Sequence, residues 1–291
     1  MQLEKHRVLP IVKAALKEDI GKGDITTQAL IDKSVSSRAV IVAKEDCVVC
    51  GLEIAEWAMS SIDYNVRFRP DCKDAGFVGA GKELAYLEGC AASILRAERT
   101  MLNMLSFLSG IATQTKRFVD KAKPYGVKIM DTRKTLPLLR YLEKYAVFTG
   151  GGANHRMGLY DQALIKDNHI LVHSRQSAVH GKKTSLREMV DKARKASLKG
   201  TVIEIEVTNI EEFNDALSGK PDIIMLDNMS PDDVRSCVEI KKLSKIKPLL
   251  EVSGGVTLET VEDYARARPD MISVGSLTSS VKAIDVSLDI M

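Results

Sequence analysis

From Pro124 onward the chain repeats one unit: a short apolar run, a polar break, and a stretch long enough for a helix. The runs are VKIMD, QALIKD, VIEIEV, DIIMLD, PLLEVSGG and MISVGS. Glu206 to Asp227 is 21 residues, Asp227 to Glu251 is 24 and Glu251 to Val274 is 23. Each interval holds one helix and its connections back to a parallel strand, whereas an antiparallel hairpin needs far less chain. The repeat therefore predicts successive βα units. Six clear strands, with a seventh expected around YAVFT, fit either a barrel or an open doubly wound sheet, and periodicity does not choose between them.

The first third has another rhythm. A short helix is expected to end at GKGDITTQALI, where Gly21 and Gly23 interrupt it and Asp24 begins an irregular segment. RAVIVAKED, YNVRFRP and ELAYLEG read as strands, with GLEIAEWAMSSI as a helix among them, which makes an α+β layer. Leu95, Met101, Leu102, Leu105, Leu108 and Ile111 are spaced helically. A long helical region from Ala91 to about Lys123 is expected, with Gly110 marking a break.

Composition narrows the partners. A formal charge of +3, with 28% charged residues, is too small to argue for nucleic acid. No apolar run approaches the roughly 18 residues of a membrane span, and MQLEKHRVLPIVK lacks a signal peptide's apolar core. A cytoplasmic enzyme or binding protein, without membrane or nucleic-acid partners, is the expectation. Cys47 and Cys50 form a CxxC pair flanking two valines in a strand-like run. A redox pair wants a helix N-terminus and a zinc site two more ligands, so these cysteines read as structural.

In both parallel architectures ligands bind at the carboxyl ends of the strands. Those ends supply Asp131, Thr132, Arg133 and Lys134; His155 and Arg156; Lys166; Glu206; Asp227 and Asn228; Ser253, Gly254 and Gly255; and Gly275 and Ser276. Charged groups ending at least four buried strands have no packing rationale, because burying them is costly. Arg133, Arg156 and Lys166 suit carboxylates, since guanidinium forks pair bidentately with planar anions and lysine adds a point charge. SGGVT and VGSLT follow strands as phosphate-binding glycine loops do, and helices are expected behind them. Glu204 and Glu206 share a strand face, with Glu206 nearer the mouth, where it and Asp227 suit hydrated magnesium or sugar hydroxyls. Arg140, Glu143 and Lys144 in LRYLEKYA read instead as helix-surface charge.

The sequence resembles the quinolinate phosphoribosyltransferases through EDIGKGDITT, ERTMLNMLSFLSGIAT, DTRKT, LRYLEKYAV, GGGANHRMGLYDQALIKDNHI, IEIEV, MLDNM, EVSGGV and ISVGSLT, in order and at suitable spacings. The resemblance implies an α/β protein: an N-terminal open α/β sandwich domain over residues 1–110, an incomplete seven-stranded parallel α/β barrel over 111–275, and a segment, 276–291, returning to the first domain. It implies decarboxylating transfer of phosphoribosyl from phosphoribosyl pyrophosphate to quinolinate, with Mg2+, in a homodimer whose Arg99 reaches the neighbouring site. Arg133, His155, Arg156 and Lys166 would surround the pyridine diacid, with Lys134 in the same pocket. Glu206 and Asp227 would serve ribose and metal, and Ser253, Gly254, Gly255 and Gly275 the 5′-phosphate. As catalytic residues the resemblance points to Lys134, Glu206 and Asp227.

One stretch departs from the family pattern. DTRKT usually continues as Thr-Pro-Gly, whereas here Leu136, Pro137 and Leu138 follow, removing a residue suited to positive φ. Two other readings compete with the transferase. A related transferase for nicotinate or another aromatic acid has less use for two carboxylate clamps, and a noncatalytic barrel for phosphorylated ligands has none for Glu206 and Asp227.

Overall fold

The computed structural model describes residues 1–179 and 185–291. Two compact units divide the chain: Met1–Lys116, Lys134–Gly152 and Leu277–Met291 form one, Arg117–Arg133 and Ala153–Ser276 the other. Among the described residues, no helix is long and apolar enough to cross a membrane.

The first unit is built on an antiparallel sheet in the order Val286–Ile290, Ser36–Ala43, Glu83–Cys90 and Arg67–Pro70. Ala39, Ile41, Ala85 and Leu87 are buried, while Arg38, Glu88, Arg67 and Arg69 remain exposed. That alternation is the period of two that leaves one sheet face for a core. Helix Lys5–Ile20 buries Val8, Val12 and Leu16, one residue per turn along one stripe. The segment expected to become irregular at Asp24 is instead a second helix, Ile25–Leu30, because the Asp24 carboxylate accepts the Thr27 N–H at 2.9 Å and caps it.

The long helix runs without interruption from Ala91 to Ala122, so Gly110 breaks nothing. Its glycine serves close approach: a Cβ there would lie 2.3 Å from the Lys282 carbonyl oxygen. Beside it, the Ile284 N–H donates to the Ser106 carbonyl at 3.0 Å, so residues 282–284 lie along this helix before strand Val286–Ile290.

YAVFT is not a strand; it is the second half of helix Arg140–Thr149. Leu142 and Ala146, and Glu143 and Val147, repeat at i,i+4 and all four are buried. The reading of Glu143 and Lys144 as surface charge is corrected too, since both are fully buried. Glu143 accepts the Leu136 N–H at 3.1 Å, and Lys144 also has polar or ionic interactions. Arg140 is half-buried, its Nε donating to Thr135 at 3.0 Å. Leu138, standing where a glycine was expected, adopts φ 68° and is 89% exposed. A left-handed leucine costs about 1–2 kcal/mol, and no burial of its side chain offsets that.

The second unit holds a parallel sheet of six strands in the order Lys128–Met130, Met271–Ser273, Leu249–Ser253, Ile223–Asp227, Ile203–Val207 and Ala163–Ile165. A single parallel bridge joins Met130 to Ala153, so the seventh position shrinks to one residue. Side chains sort by register. Ile205, Ile224, Leu226, Leu250, Val252 and Ile272 alternate onto one face and are buried. The opposite face carries Glu204, Glu206, Asp227, Glu251, Ser253 and Ser273, so IEIEV is apolar outside and acidic inside.

Candidate active site

At the carboxyl end of this sheet, register sets the neighbours. Glu206 pairs with Met225 and Met225 with Glu251, while Asp227 pairs with Ser253 one inward step further on. Lys166 directly follows strand Ala163–Ile165, and its backbone N–H donates to His169 Nδ1 at 3.0 Å where helix Asp167–Val179 begins. DNH is thus the start of a helix. The barrel unit contains Arg133, His155, Arg156, Lys166, Glu206, Asp227, Ser253, Gly254, Gly255 and Gly275; Arg99 and Lys134 belong to the first unit.

The cations crowd one another. Arg156 is 6% exposed, and burial first, then the positive charge of Arg133, pulls its pKa down, with Glu204 and Asp161 opposing. Its Nη1 donates to the Gln162 carbonyl at 2.9 Å. Two guanidiniums that repel in a partly dry site form a receptor for anionic oxygens.

His155 lies beneath. Its backbone N–H donates to Asp131 at 2.8 Å, and Asn154 Nδ2 donates to the same carboxylate at 2.6 Å. Its Nε2 lies 3.3 Å from Glu204 and 3.5 Å from Glu251. Burial disfavours an imidazolium while the two carboxylates favour one, and that balance alone raises its pKa to about 10. The Arg156 N–H, however, donates to Nδ1 at 2.7 Å, which a protonated Nδ1 cannot accept. Donor geometry decides: the ring's single proton sits on Nε2. Both ring nitrogens therefore face protein.

The carboxylates crowd as well. Burial first, and then the Asp227 charge, push Glu206 up to about 7, against the pull of Lys166. Two mutually repelling carboxylates with only oxygen donors fit a hard divalent cation such as magnesium, which would relieve the repulsion. Because the raised carboxyl favours folding while protonated, its contribution is full below its ordinary value of 4.5 and is lost as pH rises through about 7. Glu206→Gln is expected to be roughly 1–2 kcal/mol more stable than wild type at pH 8 without magnesium, after solvent screening at this half-buried position is allowed for. The gain should vanish near pH 4.5. Urea unfolding at both pH values checks it; equal stability at pH 8 would mean that Glu206 is not held against its charge.

The glycine loop is tight. Gly254 has φ 92°, and a Cβ there would lie 2.3 Å from Asn228 Oδ1. Asn228, itself at φ 53°, donates its N–H to the Ser253 carbonyl at 2.9 Å and its Nδ2 to Asp227 at 2.7 Å. One expectation is corrected: no helix follows SGG directly. Helix Val261–Arg266 starts six residues after Gly255 and is only six residues long, so any phosphate contact there falls to loop amides. Cys47 and Cys50 are buried free thiols, as the structural reading expected, and burial raises both pKa values.

Sequence reasoning missed Gln162 and Glu251 as site residues. The inward alternation of EVS was the available signal for Glu251; Gln162 offered none, since its partner Glu204 lies 42 positions away.

Fold and site together define an α/β-barrel protein whose strand ends gather separate cationic and acidic groups around a glycine loop. Family models for the quinolinate phosphoribosyl transferase N-terminal and C-terminal domains match residues 24–109 and 111–289. A Methanocaldococcus jannaschii protein described as "probable nicotinate-nucleotide pyrophosphorylase (carboxylating)" is 42% identical over 292 residues, covering 98% of each chain. A Mycobacterium leprae nicotinate-nucleotide pyrophosphorylase (carboxylating) is 38% identical, covering 96% of this chain and 95% of its own. The solved nicotinate-nucleotide pyrophosphorylase of Francisella tularensis superposes with a TM-score of 0.91 at 39% identity, covering 100% of this chain and 98% of that one. The chain belongs to the quinolinate phosphoribosyltransferase family.

Proposed function

We propose that the chain transfers the phosphoribosyl group of phosphoribosyl pyrophosphate to quinolinate, releasing pyrophosphate and carbon dioxide and leaving nicotinate mononucleotide for NAD biosynthesis. The carrying observation is the sorting of charge: Arg156 is depressed by burial and then by Arg133, while Glu206 is raised by burial and then by Asp227. A diacid answers the first crowding, and a magnesium-bound pyrophosphate ester answers the second.

Arg133, Arg156 and Lys166 hold the two ring carboxylates, with His155 beside Arg156, so that the pyridine nitrogen faces C1 of the ribose. Glu206 and Asp227 would hold the ribose and magnesium. Ser253, Gly254, Gly255 and Gly275 take the 5′-phosphate through loop amides. Magnesium, when bound, neutralises the departing pyrophosphate.

As the C1–oxygen bond breaks, positive charge develops on the ribose, and Glu206 and Asp227 stabilise it. The ring nitrogen closes on C1, so no protein nucleophile is required. Once alkylated, that positively charged nitrogen stabilises the electron pair left on the ring carbon when the adjacent carboxylate departs as carbon dioxide, and a proton from solvent then takes up that pair. The second carboxylate stays clamped and becomes that of nicotinate. The working form in this reading is a homodimer in which Arg99 completes the neighbouring site.

Incubation with phosphoribosyl pyrophosphate, magnesium and quinolinate labelled in the carboxylate next to the nitrogen should release labelled carbon dioxide and pyrophosphate in equal amounts. Ribosylation of nicotinate in preference, or binding of both substrates without turnover, would replace the assignment.

A further inference from the structure

Four residues, Arg156 of the cationic clamp among them, close a ring of polar contacts. The Arg156 backbone N–H donates to His155 Nδ1 at 2.7 Å. His155 Nε2 carries its proton toward Glu204 Oε2 at 3.3 Å. Gln162 Nε2 donates to that same Glu204 oxygen. The main-chain carbonyl of Gln162 then accepts from Arg156 Nη1 at 2.9 Å. Ring closure ties both ends of Arg156, main chain and guanidinium, to one carboxylate that is fully buried.

The ring has a foundation. Glu251, also fully buried, lies 3.5 Å from the same His155 Nε2, and Ser273 donates to Glu251 at 2.5 Å. Glu204 sits inside strand Ile203–Val207 and Glu251 inside Leu249–Ser253, both pointing inward. The anchors are thus rigid elements, whereas Arg156 and Gln162 lie in the connection before strand Ala163–Ile165. A planar guanidinium pairs bidentately only in one orientation, and holding it there in advance removes the ordering cost of binding.

We propose that Glu204 and Gln162 are positioning residues that, through His155, preset the Arg156 guanidinium for one carboxylate of the pyridine diacid. The proposal rests on the quinolinate reading given above. It assigns His155 an indirect part: both ring nitrogens work inside the ring, and the substrate meets the arginine that the ring holds.

Calorimetric titration with quinolinate, and separately with magnesium phosphoribosyl pyrophosphate, tests it on wild type and three variants. Gln162→Met keeps length and removes the donor to Glu204; Glu204→Leu removes the shared acceptor; Glu204→Gln keeps an oxygen able to accept from both partners. Quinolinate affinity should fall about tenfold in Gln162→Met and Glu204→Leu and stay within about threefold of wild type in Glu204→Gln, the spread expected for lost and retained hydrogen bonds to charged groups. Phosphoribosyl pyrophosphate affinity should change in none of them. Gln162→Met lies at a half-buried position and tests the idea should Glu204→Leu fail to fold. Unchanged quinolinate affinity in folded Gln162→Met, or equal losses for both substrates, would overturn the assignment. Should wild type itself not bind quinolinate, the substrate reading falls separately. Nitrogen-15 NMR of arginine side chains then decides the ring, which requires slower Arg156 guanidinium rotation in wild type than in Gln162→Met, where the main-chain acceptor remains but is no longer tied to Glu204; equal rotation in both refutes it.

Discussion

A mixture of Arg99→Ala and Arg133→Ala subunits is expected to recover about a quarter of wild-type activity, although each variant alone is nearly inactive. Arg99 lies exposed on helix Ala91–Ala122, and its side chain makes no hydrogen bond or ion pair among the described residues. An arginine with no partner among the described residues suits a site completed by a second copy, and equally suits a surface arginine with no role. The mixture separates the two. Arg99→Ala keeps its barrel but donates nothing, and Arg133→Ala donates an arginine but has a damaged barrel. A mixed dimer holds one complete site and one carrying both defects. Random reassortment makes about half the dimers mixed, each with one working site of two, which gives the quarter. Native mass spectrometry must confirm exchange. An exchanged mixture as inactive as its parents would show that Arg99 does not act across the dimer.

Asp227→Asn should lower kcat by about 10²–10³-fold, the range for removing one preorganised charge from a transition state, while quinolinate affinity changes little. The substitution is nearly isosteric, and Asn228 Nδ2, 2.7 Å from Asp227, can still find an oxygen. What disappears is the negative charge that the proposed function sets against the ribose. Lys166→Ala should do the reverse, weakening quinolinate binding by roughly 1.5–3 kcal/mol, the value of a charged hydrogen bond. The division has a second signature. Burial and then the Asp227 charge raise Glu206 from 4.5 to about 7, so in Asp227→Asn the Glu206 carboxyl should titrate closer to its ordinary value. Identical losses of quinolinate affinity in the two variants would contradict separate roles.

The barrel was legible because its signal is long-range and regular: strand ends recur at nearly even spacing, and IEIEV shows inward acids between outward isoleucines in five letters. YAVFT misled because β-branched and aromatic residues imitate a strand, whereas the i,i+4 burial of Leu142, Ala146, Glu143 and Val147 emerges only over the whole of Arg140–Thr149. Charge misled at Glu143 and Lys144, whose burial depends on polar partners that a linear reading does not supply. Gly110 reads as a helix break until Lys282, 172 positions later, explains the missing side chain. The cations at the strand ends were legible one by one, but the ring holding Arg156 was not. It exists only after folding brings Gln162 against Glu204 and Glu251 against His155.

The strand Val286–Ile290 forms one edge of the first unit's sheet, hydrogen-bonded to Ser36–Ala43, and residues 282–284 fill the space left by Gly110. On the ribosome the chain emerges in sequence order, so all of Arg117–Ser276 is made before that strand exists. Until then Ser36–Ala43 presents one bare edge, a template for pairing with the wrong chain. The barrel unit, contiguous but for the excursion Lys134–Gly152, has no such wait for its last strand. The fragile interval in the birth of this molecule therefore belongs to the half that starts first and finishes last.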